Sequence, residues 1–287
     1  MTFETEFYAG RRNMPLAVFI HGMGMNAKVW SNPHDARILG GKYPLRVLLG
    51  GIDEMRTSFM DLRDIGFSVL SWKQRRPAGP MNTAVAELKD LIYEYRNHIR
   101  DGIILVGHSR GGLIARKYLE ERNEFIRGFI TIATPHHGTT MAKWAAHISP
   151  IASLLNQLLG EPHKKDIRSV LKRILGFLSS EGLKELLPDA KFYSGLKDVK
   201  HQGVRYISIG GTSPDILKIN SIPMSDFIIK AIPERLIPEE LREGYGDGLV
   251  SASSSVLPYA DMHYDFHVNH VRILFDRQVR ECIINAF

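Results

Sequence analysis

Hydrophobic residues gather in six short runs, at residues 16–20, 45–49, 67–72, 103–106, 129–133 and 204–209. Between most of them apolar positions recur three and four residues apart, the spacing of a helix with one buried face. Runs that are apolar at consecutive positions, not alternate ones, suit strands covered on both faces. Strands alternating with helices predict a mostly parallel, doubly wound sheet, the α/β class. Glycines and prolines punctuate turns and mark no linker, and there is no repeat or low-complexity tract, so one domain spanning residues 1–287 accounts for the chain.

Two intervals are too long for plain loops. Between 134 and 203 the apolar residues Ile151, Leu154, Leu155, Leu158 and Leu159 keep one-face helical spacing, and Ile167, Val170, Leu171, Ile174, Leu175 and Leu178 repeat it. Lys164, Lys165, Arg168, Lys172 and Arg173 fall between them. The pattern predicts two helices packed on the main domain with a solvated basic face. It also fits a cap or lid at about 138–200, whose apolar underside meets substrate or a lipid interface, since a closed lid is itself packed. A second, smaller insertion at about 215–244 carries Pro223, Pro233 and Pro238 around an apolar centre at 227–232 and is expected to wall a pocket.

Composition excludes more than it identifies. The 287 residues are 44% hydrophobic and 24% charged with a net charge of +6, and no basic run is interleaved with aromatics, which argues against a nucleic-acid partner. The first ten residues contain Glu4 and Glu6 and no basic-then-apolar leader, and no stretch is long enough to span a bilayer. Cys282 is the only cysteine, so no disulfide forms within the chain, and its apolar neighbours predict a buried, inert thiol. A cytoplasmic location is the expectation.

Chemistry enters at Gly107-His108-Ser109-Arg110-Gly111, which directly follows the run at 103–106 and directly precedes a helical stretch at 112–121. Strand, sharp turn and helix around a serine flanked by glycines is the context of a nucleophile elbow, because the turn presses strand and helix together and lifts the hydroxyl out of the sheet. A serine needs an imidazole to take its proton, and the imidazole needs a carboxylate to fix its tautomer. Asp247, in Gly246-Asp247-Gly248-Leu249-Val250, and His270, in Asn269-His270-Val271, follow Ser109 in the order acid, then histidine. Asp215, shortly after the run ending at Ile209, is the competing acid, and His263 and His267 are the competing bases. His270 is preferred because a helical pattern at 271–286 begins directly after it. For the developing oxyanion, the N–H of Arg110 and that of Met23, in His21-Gly22-Met23-Gly24 after the first run, are the expected donors.

Two other patterns compete for the same residues. Asp261, His263, Asp265 and His267 alternate, so an extended strand places two carboxylates and two imidazoles on one face, a composition able to hold zinc. The spacing is not a standard zinc motif, and no metal is expected. Gly22-Met23-Gly24-Met25-Asn26-Ala27 matches a dinucleotide fingerprint but lacks the acidic residue about 20 positions on, so no nucleotide cofactor is expected either.

With Thr134-Pro135-His136-His137-Gly138 added, these motifs resemble in type and order those of bacterial triacylglycerol lipases and related α/β-hydrolase esterases. The resemblance implies an α/β-hydrolase fold, a Ser109, Asp247, His270 triad, an oxyanion hole at Met23 and Arg110, a cap after Ala133, and hydrolysis of small-molecule or lipid esters. It places His136 and His137 at the pocket floor. Many secreted members carry a calcium-binding aspartate two residues after the histidine; Arg272 stands there, and no calcium is expected. Acyl transfer or thioester cleavage needs the same triad, and a non-catalytic lipid or small-molecule binder needs only the pocket.

Overall fold

The computed structural model describes residues 3–38, 43–45, 54–121, 125–141, 143, 181–215, 218–219, 222–223 and 237–287. Apart from Leu45, the strand expected at 45–49 lies outside them. So do both helices expected at 151–159 and 167–178 and much of the segment 215–244.

Five of the six apolar runs fall in one seven-stranded sheet: β1 Thr5–Tyr8, β2 Leu16–Ile20, β3 Ser68–Trp72, β4 Ile103–His108, β5 Ile126–Ile132, β6 Arg205–Gly211 and β7 Met262–Phe266. Their spatial order is β1-β3-β2-β4-β5-β6-β7. Only β1 runs antiparallel to its neighbour in that sheet. The sequence signal missed β1 and β7 for one reason: both are edge strands. Each mixes polar with apolar residues and is only partly buried, whereas every residue of β2 is buried.

Consecutive apolar residues are needed because both faces are covered. On one side Leu16, Val18, Ile20, Leu70 and Leu105 pack with Leu88 and Leu91 of the helix Met81–Glu94 and Leu113 and Leu119 of the helix Arg110–Glu121. On the other, Ala17, Phe19, Val69, Ile104 and Val106 meet Phe59 and Leu62 of Ser58–Ile65 and Val279 and Ile283 of Arg277–Ile284. These four helices are α2, α3, α1 and α4 respectively. Each fully buried branched aliphatic side chain contributes about 1.5–3 kcal/mol. The two layers thus give the sheet a rigid frame.

Parallel pairing aligns the carboxyl ends. Ile20 lies opposite Gly107, Ile132 opposite His108 and Ile209, and Gly211 opposite Phe266, so the loops leaving β2, β4, β5, β6 and β7 emerge along one rim. In doubly wound sheets that rim is where chemistry is placed.

Three expected boundaries are corrected. β5 ends at Ile132 because Ala133 takes a left-handed φ of 49°. β4 continues through His108, so the serine follows the strand without a spacer. The helix expected at 271–286 is instead a short 3₁₀ turn, Arg272–Leu274, followed by α4, because Asp276 acts as a new N-cap and accepts from Val279 N at 3.1 Å.

Around the expected cap only the stems are described. Thr139 N donates to Leu186 O at 2.7 Å, and Lys143 lies 3.5 Å from Asp189. Departing and returning chain therefore run side by side at the rim.

Candidate active site

Ser109 follows the last residue of β4 and precedes the first of α3, and it adopts φ 54°. This left-handed conformation costs a non-glycine residue of the order of 1–2 kcal/mol and is held by its surroundings. Ser109 N donates to Ile132 O at 2.8 Å, and its carbonyl accepts from Gly112 N at 3.0 Å. A Cβ on Gly107 would overlap the backbone of Gly112, and one on Gly111 would overlap the carbonyl of Ile20. Small residues stand here because strand and helix have no room for more. Unlike its buried neighbours His108 and Arg110, Ser109 is only half-buried.

Asp247 and His270 come from different loops and meet. His270 Nδ1 lies 2.8 Å from Asp247 Oδ2, and His270 N donates to Asp247 O at 3.0 Å, so main chain and side chain bind the same partner. The other carboxylate oxygen accepts from Leu249 N at 3.0 Å and Val250 N at 2.7 Å, which fixes the acid's direction. Both side chains are buried. With the carboxylate on Nδ1, the proton sits there and Nε2 is left as the accepting nitrogen. The main-chain carbonyl of the competing acid, Asp215, accepts from Asn269 Nδ2 at 2.7 Å.

His270 is brought to the elbow through the residue before the serine. His108 Nε2 donates to the His270 carbonyl at 2.9 Å, and the two rings are 4.9 Å apart. Among the described residues no hydrogen bond joins the Ser109 hydroxyl to His270. The loop after β2 closes the other flank: a Cβ on Gly22 would sit 2.9 Å from His108 Nδ1 and 3.0 Å from Ser109 Cβ. Met23, next in that loop, is buried, and the N–H of Arg110 opens α3, where no preceding turn supplies a carbonyl.

The alternating acids and histidines are spoken for elsewhere. His263, on β7, bonds Ser208 Oγ at 2.8 Å and Asp265 at 3.2 Å; Asp261 binds Lys200 and Tyr206 N; His267 pairs with Glu243 at 3.3 Å. Among the described residues no group of three or more His, Cys, Asp or Glu is arranged to hold a metal ion. His136 is buried, with Nδ1 facing Arg116 at 3.2 Å and Nε2 facing Thr131 Oγ1 at 3.0 Å. Cys282 is half-buried, not fully so, and burial raises its thiol pKa, which lowers its thiolate fraction.

Sequence reasoning passed over His108, Gln74 and Asn269. Asn269 accepts from Val271 N and Arg272 N at 3.1 and 2.9 Å and so caps the turn after His270. An asparagine two residues before the start of a helical pattern is a capping signal, so that residue was findable. Nothing local flags Gln74, whose partners are 53 and 36 residues away.

Three buried histidines are held neutral. His21 Nε2 accepts from Gln74 N and its Nδ1 donates to Gly22 O, and burial pushes its pKa down to about 4 from 6.5. Burial also lowers His108 and His136 well below the ordinary value. The unfolded chain takes up these protons first, so the stability they protect is complete above pH 6.5 and drains as pH falls toward 4. For His21 alone that is about 3 kcal/mol. The unfolding midpoint is expected to fall by roughly 5–10 °C between pH 7 and pH 5. His21→Gln should flatten that slope, and an unchanged slope would contradict the assignment.

Fold and site together define an α/β-hydrolase of the esterase and lipase class. A Bacillus licheniformis lipase in its mature form superimposes with TM-score 0.53 at 17% identity, covering 98% of this chain and 97% of that one. A lipase-esterase related protein of Clostridium acetobutylicum gives TM-score 0.51 at 12% identity, covering 99% of each chain. Residues 17–171 match the palmitoyl protein thioesterase family, and the chain belongs to it. The pimeloyl-[acyl-carrier protein] methyl ester esterase of Photorhabdus laumondii is 24% identical over 235 residues, 81% of this chain and 74% of that protein. The protein is accordingly an ester hydrolase, esterase or thioesterase. Among the described residues no helix is long and apolar enough to cross a membrane.

Proposed function

We propose that the protein hydrolyses carboxylic esters of hydrophobic acyl chains through an acyl-enzyme on Ser109. The observation that carries this is the buried Asp247–His270 pair at 2.8 Å, tied by His108 to a strained elbow whose serine stays accessible. Ser109 Oγ attacks the carbonyl while His270 Nε2 takes its proton, and Asp247 stabilises the resulting imidazolium. The N–H groups of Met23 and Arg110 hold the oxyanion. His270 then protonates the leaving alcohol, and water, deprotonated by the same imidazole, releases the acid and restores the serine.

Chain preference is ascribed to the apolar positions of the segment 138–200, acting as a lid. A second reading, thioester cleavage by the same residues, draws support from the family match. The relative that acts on a carrier-protein methyl ester supports the ester reading.

One experiment tests the scheme. A fluorophosphonate probe is expected to label the protein on the peptide holding Ser109, and chromogenic esters of graded length should turn over faster as the acyl chain lengthens. Matching acyl thioesters decide between the two readings by their relative kcat/KM. Absence of both labelling and turnover removes the proposal. Preference for short soluble esters, with no activation by emulsified triacylglycerol, removes the lid.

A further inference from the structure

Arg110 carries a guanidinium that is 0% exposed, an expensive placement for a charge unless it is well satisfied. Among the described residues its hydrogen-bond partners are uncharged: Gln74 Oε1 at 3.3 Å, Pro77 O at 3.4 Å and Gly79 O at 2.6 Å, with Nε unpartnered. Glu185 and Glu87 oppose its charge through space, while burial pulls its pKa down to about 10. The side chain therefore grips the loop between β3 and α2 from beneath the elbow.

Gln74 passes that grip on. Its Oε1 accepts from Arg110, its Nε2 donates to His21 O at 2.9 Å, and its own N–H donates to His21 Nε2 at 3.3 Å. His21 begins the loop that carries Met23, and its Nδ1 locks the Gly22 carbonyl at 2.9 Å. Both expected oxyanion donors thus hang on one side chain: the N–H of Arg110 by covalent attachment, that of Met23 through Gln74 and His21. A further tie joins this loop to the returning stem of the 144–180 segment, because Gly182 N donates to Ala78 O at 3.1 Å and a Cβ on Gly182 would lie 3.1 Å from Met23 Sδ.

We infer that the Arg110 guanidinium and the Gln74 amide are positioning residues that set the spacing of the two oxyanion donors. This rests on the reading of Ser109 as nucleophile. The geometry favours a positioning role over a mere filler, because an apolar plug of equal volume would fill the space yet leave the His21 carbonyl and the Met23 loop unaimed. An oxyanion donor works only if it lies about 2.7–3.1 Å from where the charge develops, so small displacements act on the transition state and spare ground-state binding.

The test uses Gln74→Met, which keeps the volume and removes both side-chain bonds, alongside Arg110→Met and Arg110→Lys. Gln74→Met is expected to lower kcat about 10- to 100-fold, somewhat less than outright loss of a donor, with KM within about twofold. Affinity for a boronic-acid transition-state analogue should fall by the same factor as kcat/KM. Arg110→Lys, which retains a donor and the charge, should recover part of what Arg110→Met loses. If Arg110→Met does not fold, Gln74→Met decides alone. Wild-type kcat in Gln74→Met, or a change in kcat and KM with boronate affinity untouched, overturns the inference. Fluorophosphonate mapping of the wild type separates this from the parent reading: label away from Ser109 sinks the nucleophile itself, whereas label on Ser109 with indifferent Gln74→Met sinks only the positioning role.

Discussion

Ser109→Ala is expected to fold like the wild type and to lose ester turnover by at least about 10⁴-fold, retaining only what binding and the oxyanion donors supply without a nucleophile. Among the described residues no hydrogen bond of the fold is made by the Ser109 hydroxyl. Its backbone N–H and carbonyl hold the turn to Ile132 and Gly112, and both survive the substitution. Alanine tolerates φ 54° no better than serine, so the conformational cost is unchanged, and the unfolding midpoint should move by no more than a few degrees. The measurement is kcat on the best chromogenic ester, with thermal unfolding as control. Retained turnover would remove Ser109 from the chemistry.

Asp247→Asn is expected to be nearly as damaging, roughly 10³- to 10⁴-fold in kcat, with little change in KM. The amide keeps the shape and, through its oxygen, the bonds from Leu249 N and Val250 N. It then turns its NH₂ toward His270 Nδ1, which must accept, so the ring proton moves to Nε2, where a base is needed. The backbone bond from His270 N to Asp247 O is untouched, so the loops stay together. Asp215→Asn serves as the comparison and should leave kcat within about threefold. If the two variants swapped phenotypes, the acid would be Asp215.

The α/β fold was legible because both faces of the sheet are covered: a strand such as Leu16–Ile20 then reads as an uninterrupted apolar run, unlike anything a surface loop presents. Edge strands lack that signature: in Met262–Phe266 the polar His263 and Asp265 alternate with Met262, Tyr264 and Phe266. What β7 supplies instead is the last step of the sheet, from which the chain turns to deliver His270. The choice of Asp247 over Asp215 rests on the flanking glycines, and the proposal that Asp247 orients His270 draws on their 2.8 Å pairing. Asn269 carries a capping signal in the sequence, whereas His108 sits inside a quoted motif and aims a neighbour's backbone, which composition does not express. Gln74 and the Arg110 side chain were invisible for a deeper reason: their partners are distant in sequence, and a buried arginine bonded to carbonyls has no periodic or motif signature.

The hydrogen bond from Thr139 to Leu186 has a consequence for how this protein can diversify. Because the excursion between those residues begins and ends at a closed junction, its length is uncoupled from the register of β5 and β6, and lengthening it costs only the logarithm of the added chain. The segment between them can therefore change in length and composition while the strands that lead to Ser109, Asp247 and His270 stay in place.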